Sequence, residues 1–209
     1  MPLPWGLWTG ARDLRGTIGE RYLAETRGID VSKLPAGVHE SLRFHPNCVF
    51  GPGTRQPCLL ALMRDPQTDA PLGLQRIALT VTNGHVRKLD RKMLGPSGVV
   101  KLWPATDRLV IGEGLETVLA AATRIRFEGA PLTPAWAALS DGNMAKLPVL
   151  TGVSSLILLV DNDGNQAGQH AAEHAQRRWE AAGRAVIPLI PNVVGTDFND
   201  LVLSGDFDG

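Results

Sequence analysis

Residues 155–164 read SLILLVDNDG, and the fold turns on this stretch. Ser155–Val160 is an unbroken apolar run with no polar alternation, the pattern of a strand covered on both faces at the centre of a parallel sheet. It discharges directly into Asp161, Asn162, Asp163 and Gly164. Side chains alternate along an extended chain, so Asp161 and Asp163 fall on one side of it. The flanks keep the same rhythm. Upstream come a short apolar strand at Arg108–Ile111, helical spacing over Leu115–Arg126, a strand at Ala135–Leu139 and a turn at Asp141-Gly142-Asn143. Downstream, an amphipathic helix over Gln166–Ala182 stops at Gly183, and Arg184–Ile190 returns as a strand before Pro191. This alternation predicts an α/β fold over residues 106–209, a mostly parallel sheet flanked by helices and joined by right-handed crossovers. In such sheets functional side chains gather at the carboxyl ends of the strands.

Those ends are acidic. The first strand runs into Gly112-Glu113-Gly114, the central one into the Asp161–Asp163 pair, and the last is followed by GTDFNDL at residues 195–201, with Asp197 and Asp200. Two carboxylates from one strand end and a third from its neighbour make an oxygen-only site suited to Mg²⁺ or Mn²⁺. The glycines let the backbone turn sharply and a phosphate approach closely. Asp and Asn are also ordinary turn formers after strands, and a lone Asp-x-Asp-Gly is usually a loop. Three acidic ends in one sheet favour a metal site. Glu116, in the first helical turn, serves the helix N-terminus on this reading.

The first 105 residues read differently, as a smaller α+β domain. A helix is expected over Ile18–Arg27, ended by Gly28, with Tyr22 and Leu23 facing inward. A Pro/Gly-rich stretch from Pro35 to Pro57 carries no expected element. Strand-like runs follow at Cys58–Arg64 and Leu72–Val81. Asn83-Gly84 signals a hairpin joining Gln75–Thr82 to His85–Leu89, so three antiparallel strands are expected. The domain boundary is drawn at residue 105, after Trp103-Pro104, where a new apolar run begins; Trp103 itself reads as core.

The whole chain balances 21 Lys and Arg against 21 Asp and Glu. Residues 1–105 hold 14 basic and 8 acidic side chains, a net of +6, while residues 106–209 hold 7 and 13, a net of −6. Neutrality is therefore a sum of opposites, and a polyanionic partner is not excluded. Arg87, Lys88, Arg91 and Lys92 lie within six residues, between Arg76 and Lys101. They are either the solvated face of a hairpin or a phosphate-tracking groove whose grip weakens as salt rises.

Several other functions are set aside on the same residues. The longest strongly apolar stretch, Val149–Val160, is 12 residues and short of the roughly 18 that cross a bilayer. MPLPWGLWTGAR is not a secretory signal, so a cytoplasmic location and no membrane are expected. Cys48 and Cys58 match no zinc spacing despite His39 and His45 nearby, and read as buried thiols of a reducing compartment. Gly112-x-Gly114-x-x-Thr117 lacks the third glycine of a dinucleotide fingerprint. Asp161-x-Asp163-x-Asn165 fails as a calcium loop at Gln166 and Ala172. His170-Ala171-Ala172-Glu173-His174 fits a zinc-protease pattern without a separate third ligand. No P-loop or G-x-S-x-G occurs.

The order GEG, then DND 48 residues later, then GTDFNDL resembles the Toprim domain, shared by DnaG-type primases, topoisomerases and some nucleases. Within that superfamily, VIGEGLETVLAA and LLVDNDGNQAGQHAA are most similar to primase-like Toprim proteins of phages, plasmids and integrated mobile elements. RYLAETRGID, LRFHPNC and RKMLGP resemble the region preceding Toprim in the same proteins. The resemblance implies Glu113 as the catalytic or metal-adjacent acid, Asp161 and Asp163 as catalytic metal holders, and Asp197 or Asp200 as a further ligand. The function it implies is a metal-dependent nucleotidyltransferase that makes short primers on a single-stranded DNA template from nucleoside triphosphates. A helicase or other replication protein is then an expected partner. The first alternative is a metal-dependent nuclease with the same acids. A topoisomerase is disfavoured, because Tyr22 is the sole tyrosine. The second alternative is a non-catalytic nucleic-acid-binding module, in keeping with the lack of a zinc-binding motif near the start and of a recognisable helicase-binding region after Asp208.

Overall fold

A computed structural model describes residues 5–162 and 167–205. Helix α1 (Trp5–Thr9) is followed by α2 (Ile18–Arg21), capped by Thr17, whose Oγ1 accepts from Gly19 N at 3.1 Å. The chain continues through a π-helical turn at Tyr22–Thr26 and leaves the helix before Gly28, at φ +65°. The helix expected over 18–27 is present with its second half widened. Strands β1 (Leu42–Gly51), β2 (Thr54–Arg64), β3 (Pro71–Thr82) and β4 (His85–Leu94) then form an antiparallel sheet in sequence order. Asn83 (φ 51°) and Gly84 (φ 81°) make the β3–β4 turn, as the hairpin signal predicts.

Two features of this sheet depart from the reading of the sequence. A fourth strand, β1, lies within the Pro/Gly-rich stretch. Pro46 is tolerated because β1 is an edge strand and its register slips between His45 and Cys48, where no ladder donor is required. Strand β4 also runs to Leu94, through the charged residues 90–92. The central strands are covered on both sides. Leu59, Ala61, Met63, Ile77 and Leu79 face one cluster, whereas Leu60, Leu62, Leu74 and Ala78 face Trp8, Phe50 and the unbridged, fully buried thiols of Cys48 and Cys58.

The second half contains β5 (Val100–Lys101), β6 (Arg108–Gly112), α3 (Leu115–Arg124), the two-stranded ribbon β7 (Arg126–Phe127) and β8 (Ala130–Pro131), β9 (Ala135–Ala137), α4 (Asp141–Ala145), β10 (Ser155–Leu159), α5 (Ala167–Ala181), β11 (Ala185–Leu189) and α6 (Phe198–Ser204). Its sheet has the order β11-β10-β6-β9-β5. The first four strands are parallel, and they are the four that the alternation predicts. Strand β5, on the amino-terminal side of the expected boundary, adds an antiparallel edge by pairing Val100 with Ala137 and Lys101 with Trp136. Alternate residues of β6 and β10 feed opposite faces: Leu109, Ile111, Leu156 and Leu158 pack with Trp179 and Ala175 of α5, while Val110, Ile157 and Leu159 pack with α3. The continuous apolar run is thus explained by burial on both faces.

The two halves share one core. Tyr22, Leu23, Leu59, Ile77 and Leu79 lie in the same apolar cluster as Val110, Leu115, Val118, Leu119, Ile157 and Phe198. Each such side chain gains about 1.5–3 kcal/mol on full burial. Neither half buries its apolar face alone. No helix among the described residues is long and apolar enough to cross a membrane.

Candidate catalytic site at the strand ends

Strand β6 pairs with β10 in the register Gly112–Leu159 and with β9 in the register Gly112–Ala137. Glu113 therefore leaves the sheet between two neighbours. Gly112 is required there: a Cβ would meet Val118 Cγ2 at 2.9 Å and Leu159 Cβ at 3.0 Å. Gly114 has the same tightness, with Thr117 Oγ1 at 2.8 Å from the position of a Cβ. The backbone around Glu113 is anchored to the β9 side, since Gly112 O accepts from Ala138 N and Glu113 O accepts from Leu139 N, both at 2.8 Å. Leu139 adopts φ +67° while 2% exposed. A bulky residue in the left-handed region costs about 1–3 kcal/mol and is held there only by its surroundings.

Asp161 follows β10 beside Glu113. Asp163, named from the sequence as catalytic and metal-holding, lies outside the described residues. Asn162 ties this loop to the GTDFNDL segment: its N donates to Thr196 O at 3.1 Å, its O accepts from Gly195 N at 2.6 Å, and its side chain donates to Pro191 O at 2.8 Å. The GTDFNDL segment is tied in turn to the Glu113 turn, because Thr117 Oγ1 donates to Asp197 Oδ2 at 3.1 Å. All three acidic motifs meet at one end of the sheet.

Asp197 and Asp200, named as ligands, have a local task that sequence spacing left open. They form a capping box at the start of α6: Asp197 Oδ1 accepts from Asp200 N at 2.8 Å and Asp200 Oδ2 accepts from Asp197 N at 3.1 Å. Asp141, by contrast, was read only as a turn. It opens α4 after Ser140, whose Oγ accepts from Asn143 N. Its Oδ1 is buried without a hydrogen bond among the described residues and faces Gly168, close to Asp161 O. Its signal in the sequence was its place after a parallel strand.

Among the described residues no three His, Cys, Asp or Glu side chains are grouped to hold a metal ion. Glu113 and Asp161 nevertheless supply carboxylate oxygens from adjoining strand ends, the donor chemistry that Mg²⁺ and Mn²⁺ take.

The cations of the first half distribute themselves less simply. Residues paired across a ladder share a face. Lys88 pairs with Leu79 and Arg91 with Ile77, so both lie on the face toward the shared core; Arg87 pairs with Thr80 and Lys92 with Arg76, on the other face. The bulge between Ala78 and Leu79 sets this division. Arg87 and Arg91 are exposed and form no ion pair among the described residues. Lys92 lies over the Phe50 ring at 4.7 Å, near Asp90. Arg76, expected to meet phosphate, is instead 7% exposed and donates to the carbonyls of Val49 and Met93. Lys101 is likewise engaged, by Asp69 at 2.9 Å and by the Trp136 ring at 4.6 Å.

Lys88 makes the contact that sequence reasoning missed. Its Nζ lies 3.0 Å from Glu116 Oε1, and Glu116 is 6% exposed. Tyr22 donates to the same oxygen at 2.9 Å, and Arg27 stands 3.8 Å away while donating to Tyr22 at 2.8 Å. Burial pushes the Glu116 carboxyl up, but the charge of Lys88 and the hydrogen bonds from Lys88 and Tyr22 outweigh it and hold the group below its ordinary value. Burial and the neighbouring Glu116 charge push the Tyr22 hydroxyl up.

Two family models match the chain. Residues 5–101 match a Domain of unknown function (DUF7146), and residues 108–206, from β6 through α6, match the Toprim domain. No curated protein matches it.

Proposed function

We propose that this chain, in which a Toprim domain at residues 108–206 follows a small antiparallel-sheet domain, is a primase-like catalytic core that makes short primers on single-stranded DNA. Toprim domains occur in primases, nucleases and topoisomerases, all of which act on nucleic-acid phosphates with divalent metal. The observation that carries the primase reading is the direct junction of the cationic strand β4 with the Glu113 turn, through Lys88 on Glu116. A template strand lying along Arg91 is then led to the acidic strand ends.

In this reading Glu113, Asp161 and Asp163 would hold Mg²⁺ or Mn²⁺, with Asp197 and Asp200 near the same end. Such an ion would supply charge stabilisation at the phosphate. A 3′-hydroxyl oxygen attacks the α-phosphorus of a nucleoside triphosphate, that P–O bond forms as the bond to the β-phosphate breaks, and pyrophosphate leaves. Glu113 takes the hydroxyl proton. Arg91 contacts template or triphosphate on the face of β4 that it shares with Lys88, and Arg87 and Lys92 offer phosphate contacts on the other face; Lys88, Arg76 and Lys101 are held by protein partners. Tyr22 is fully buried and bonded to Glu116, which speaks against a strand-cleaving tyrosine.

Primer synthesis from labelled nucleotides on single-stranded DNA tests the proposal. Metal-dependent products are expected from the wild type, reduced on the order of 100-fold or more in Glu113→Gln and Asp161→Asn. No product, or undiminished product from both variants, overturns it. Cleavage of a labelled oligonucleotide without nucleotides would establish the nuclease instead, and DNA binding with neither activity would establish a binding module.

A further inference from the structure

We propose that Glu116 is a positioning residue through which the amino-terminal domain holds the Glu113 turn; this rests on the primase reading only for the consequence in catalysis. Helix α3 is mostly an apolar wedge, with Leu115, Val118, Leu119 and Ala120 fully buried. A carboxylate serving only the helix dipole would sit in solvent, where it needs no partners. Glu116 is instead desolvated three residues after Glu113, a cost recovered only by close charge and hydrogen-bond partners. Its side-chain partners among the described residues, Tyr22, Arg27 and Lys88, come from outside the Toprim domain.

Arg27 extends the grip to the second acidic segment. Its Nη1 donates to Asn199 Oδ1 at 3.2 Å, and Asn199 Nδ2 donates back to Arg27 O at 2.6 Å. Asn199 is 1% exposed and lies in the first turn of α6, between Asp197 and Asp200. Helices α3 and α6, whose first turns follow Glu113 and carry the Asp197–Asp200 box, are therefore both fastened to Arg27. Their starts are joined a second time by Thr117 on Asp197. The spacing of the two acidic motifs is thus set in part through Arg27, which belongs to neither. Glu116 touches no reacting atom in this scheme; it acts through the turn that Glu113 occupies.

Amide hydrogen exchange on the full-length chain tests this without assuming any activity. In Glu116→Gln and in Lys88→Met, amides of residues 113–118 are expected to exchange on the order of tenfold faster, while those of β10 at 156–159 keep wild-type rates. Tyr22→Phe, which removes one hydrogen bond and leaves the ion pair, guards against a variant that fails to fold; it should show a smaller acceleration at the same amides. Wild-type exchange at 113–118 in folded variants, or acceleration spread equally over β10, overturns the proposal. Primer synthesis supplies the separate catalytic readout: kcat falls with KM for nucleotide unmoved, and Lys88→Arg restores kcat where Lys88→Met does not. If the wild type makes no primers, the primase reading fails and exchange alone decides the clamp.

Discussion

Residues 1–105, which carry the antiparallel sheet, and residues 106–209, which carry the parallel strands, each have six charges in excess, of opposite sign, yet only the second half concentrates its charge. In the second sheet the four parallel strands end on the same side, so Glu113, Asp161 and the GTDFNDL segment arrive together whatever their separation in sequence. In the antiparallel sheet part of the excess runs along β4, and the two-residue period of the strand, shifted by the bulge opposite Ala78 and Leu79, deals Lys88 and Arg91 to one face, Arg87 and Lys92 to the other. Segregated charge in a sequence becomes a site only where topology makes it converge. Dispersal has its own use: the face that receives Lys88 is the one that meets Glu116.

The largest test of this contrast sets neighbours in sequence against each other. Lys88→Met leaves a buried carboxylate with weaker compensation and should lower stability by about 3 kcal/mol, whereas Arg87→Met, one residue away, exposed and on the opposite face, should change it by less than about 0.5 kcal/mol. Denaturant midpoints of the two variants measure this, and equal losses would erase the distinction between the faces. A smaller effect probes the convergent end. Gly112→Ala drives a methyl group against Val118 and Leu159, and a loss of about 1–3 kcal/mol is expected by thermal melting. A neutral result would show that the strand end has room to spare.

The smallest effect is in pH. The folded Glu116 carboxyl is held below its ordinary value, so its pairing contributes stability above the unfolded value of about 4.3, and that contribution is lost as pH falls through the folded one. The melting midpoint of the wild type should therefore drop more steeply between about pH 5 and pH 3 than that of Glu116→Gln. Identical slopes would mean that Glu116 is not ionised in the folded protein.

Much of this architecture was legible in the residues. The apolar run before Asp161 identified a strand buried on both faces, Asn83-Gly84 identified the hairpin, and GEG, DND and GTDFNDL identified the acidic end. Strand β1 was illegible because proline and glycine in a sequence do not reveal whether an edge or a register slip will excuse them. Asp197 and Asp200 showed their spacing without their capping bonds. Asp141 was hidden by its own suitability for a turn, and Arg76 by the assumption that cations seek solvent.

The sequence by itself therefore determined the alternation of the four parallel strands with helices and the acids that follow them, because periodicity is a local property carried by each segment. Only the tertiary structure decided which cations face outward, that β5 crosses from one half into the sheet of the other, and that Glu116 is buried among Tyr22, Arg27 and Lys88. These depend on contacts between residues up to 94 positions apart, where a charge can be desolvated only if its partner is already in place.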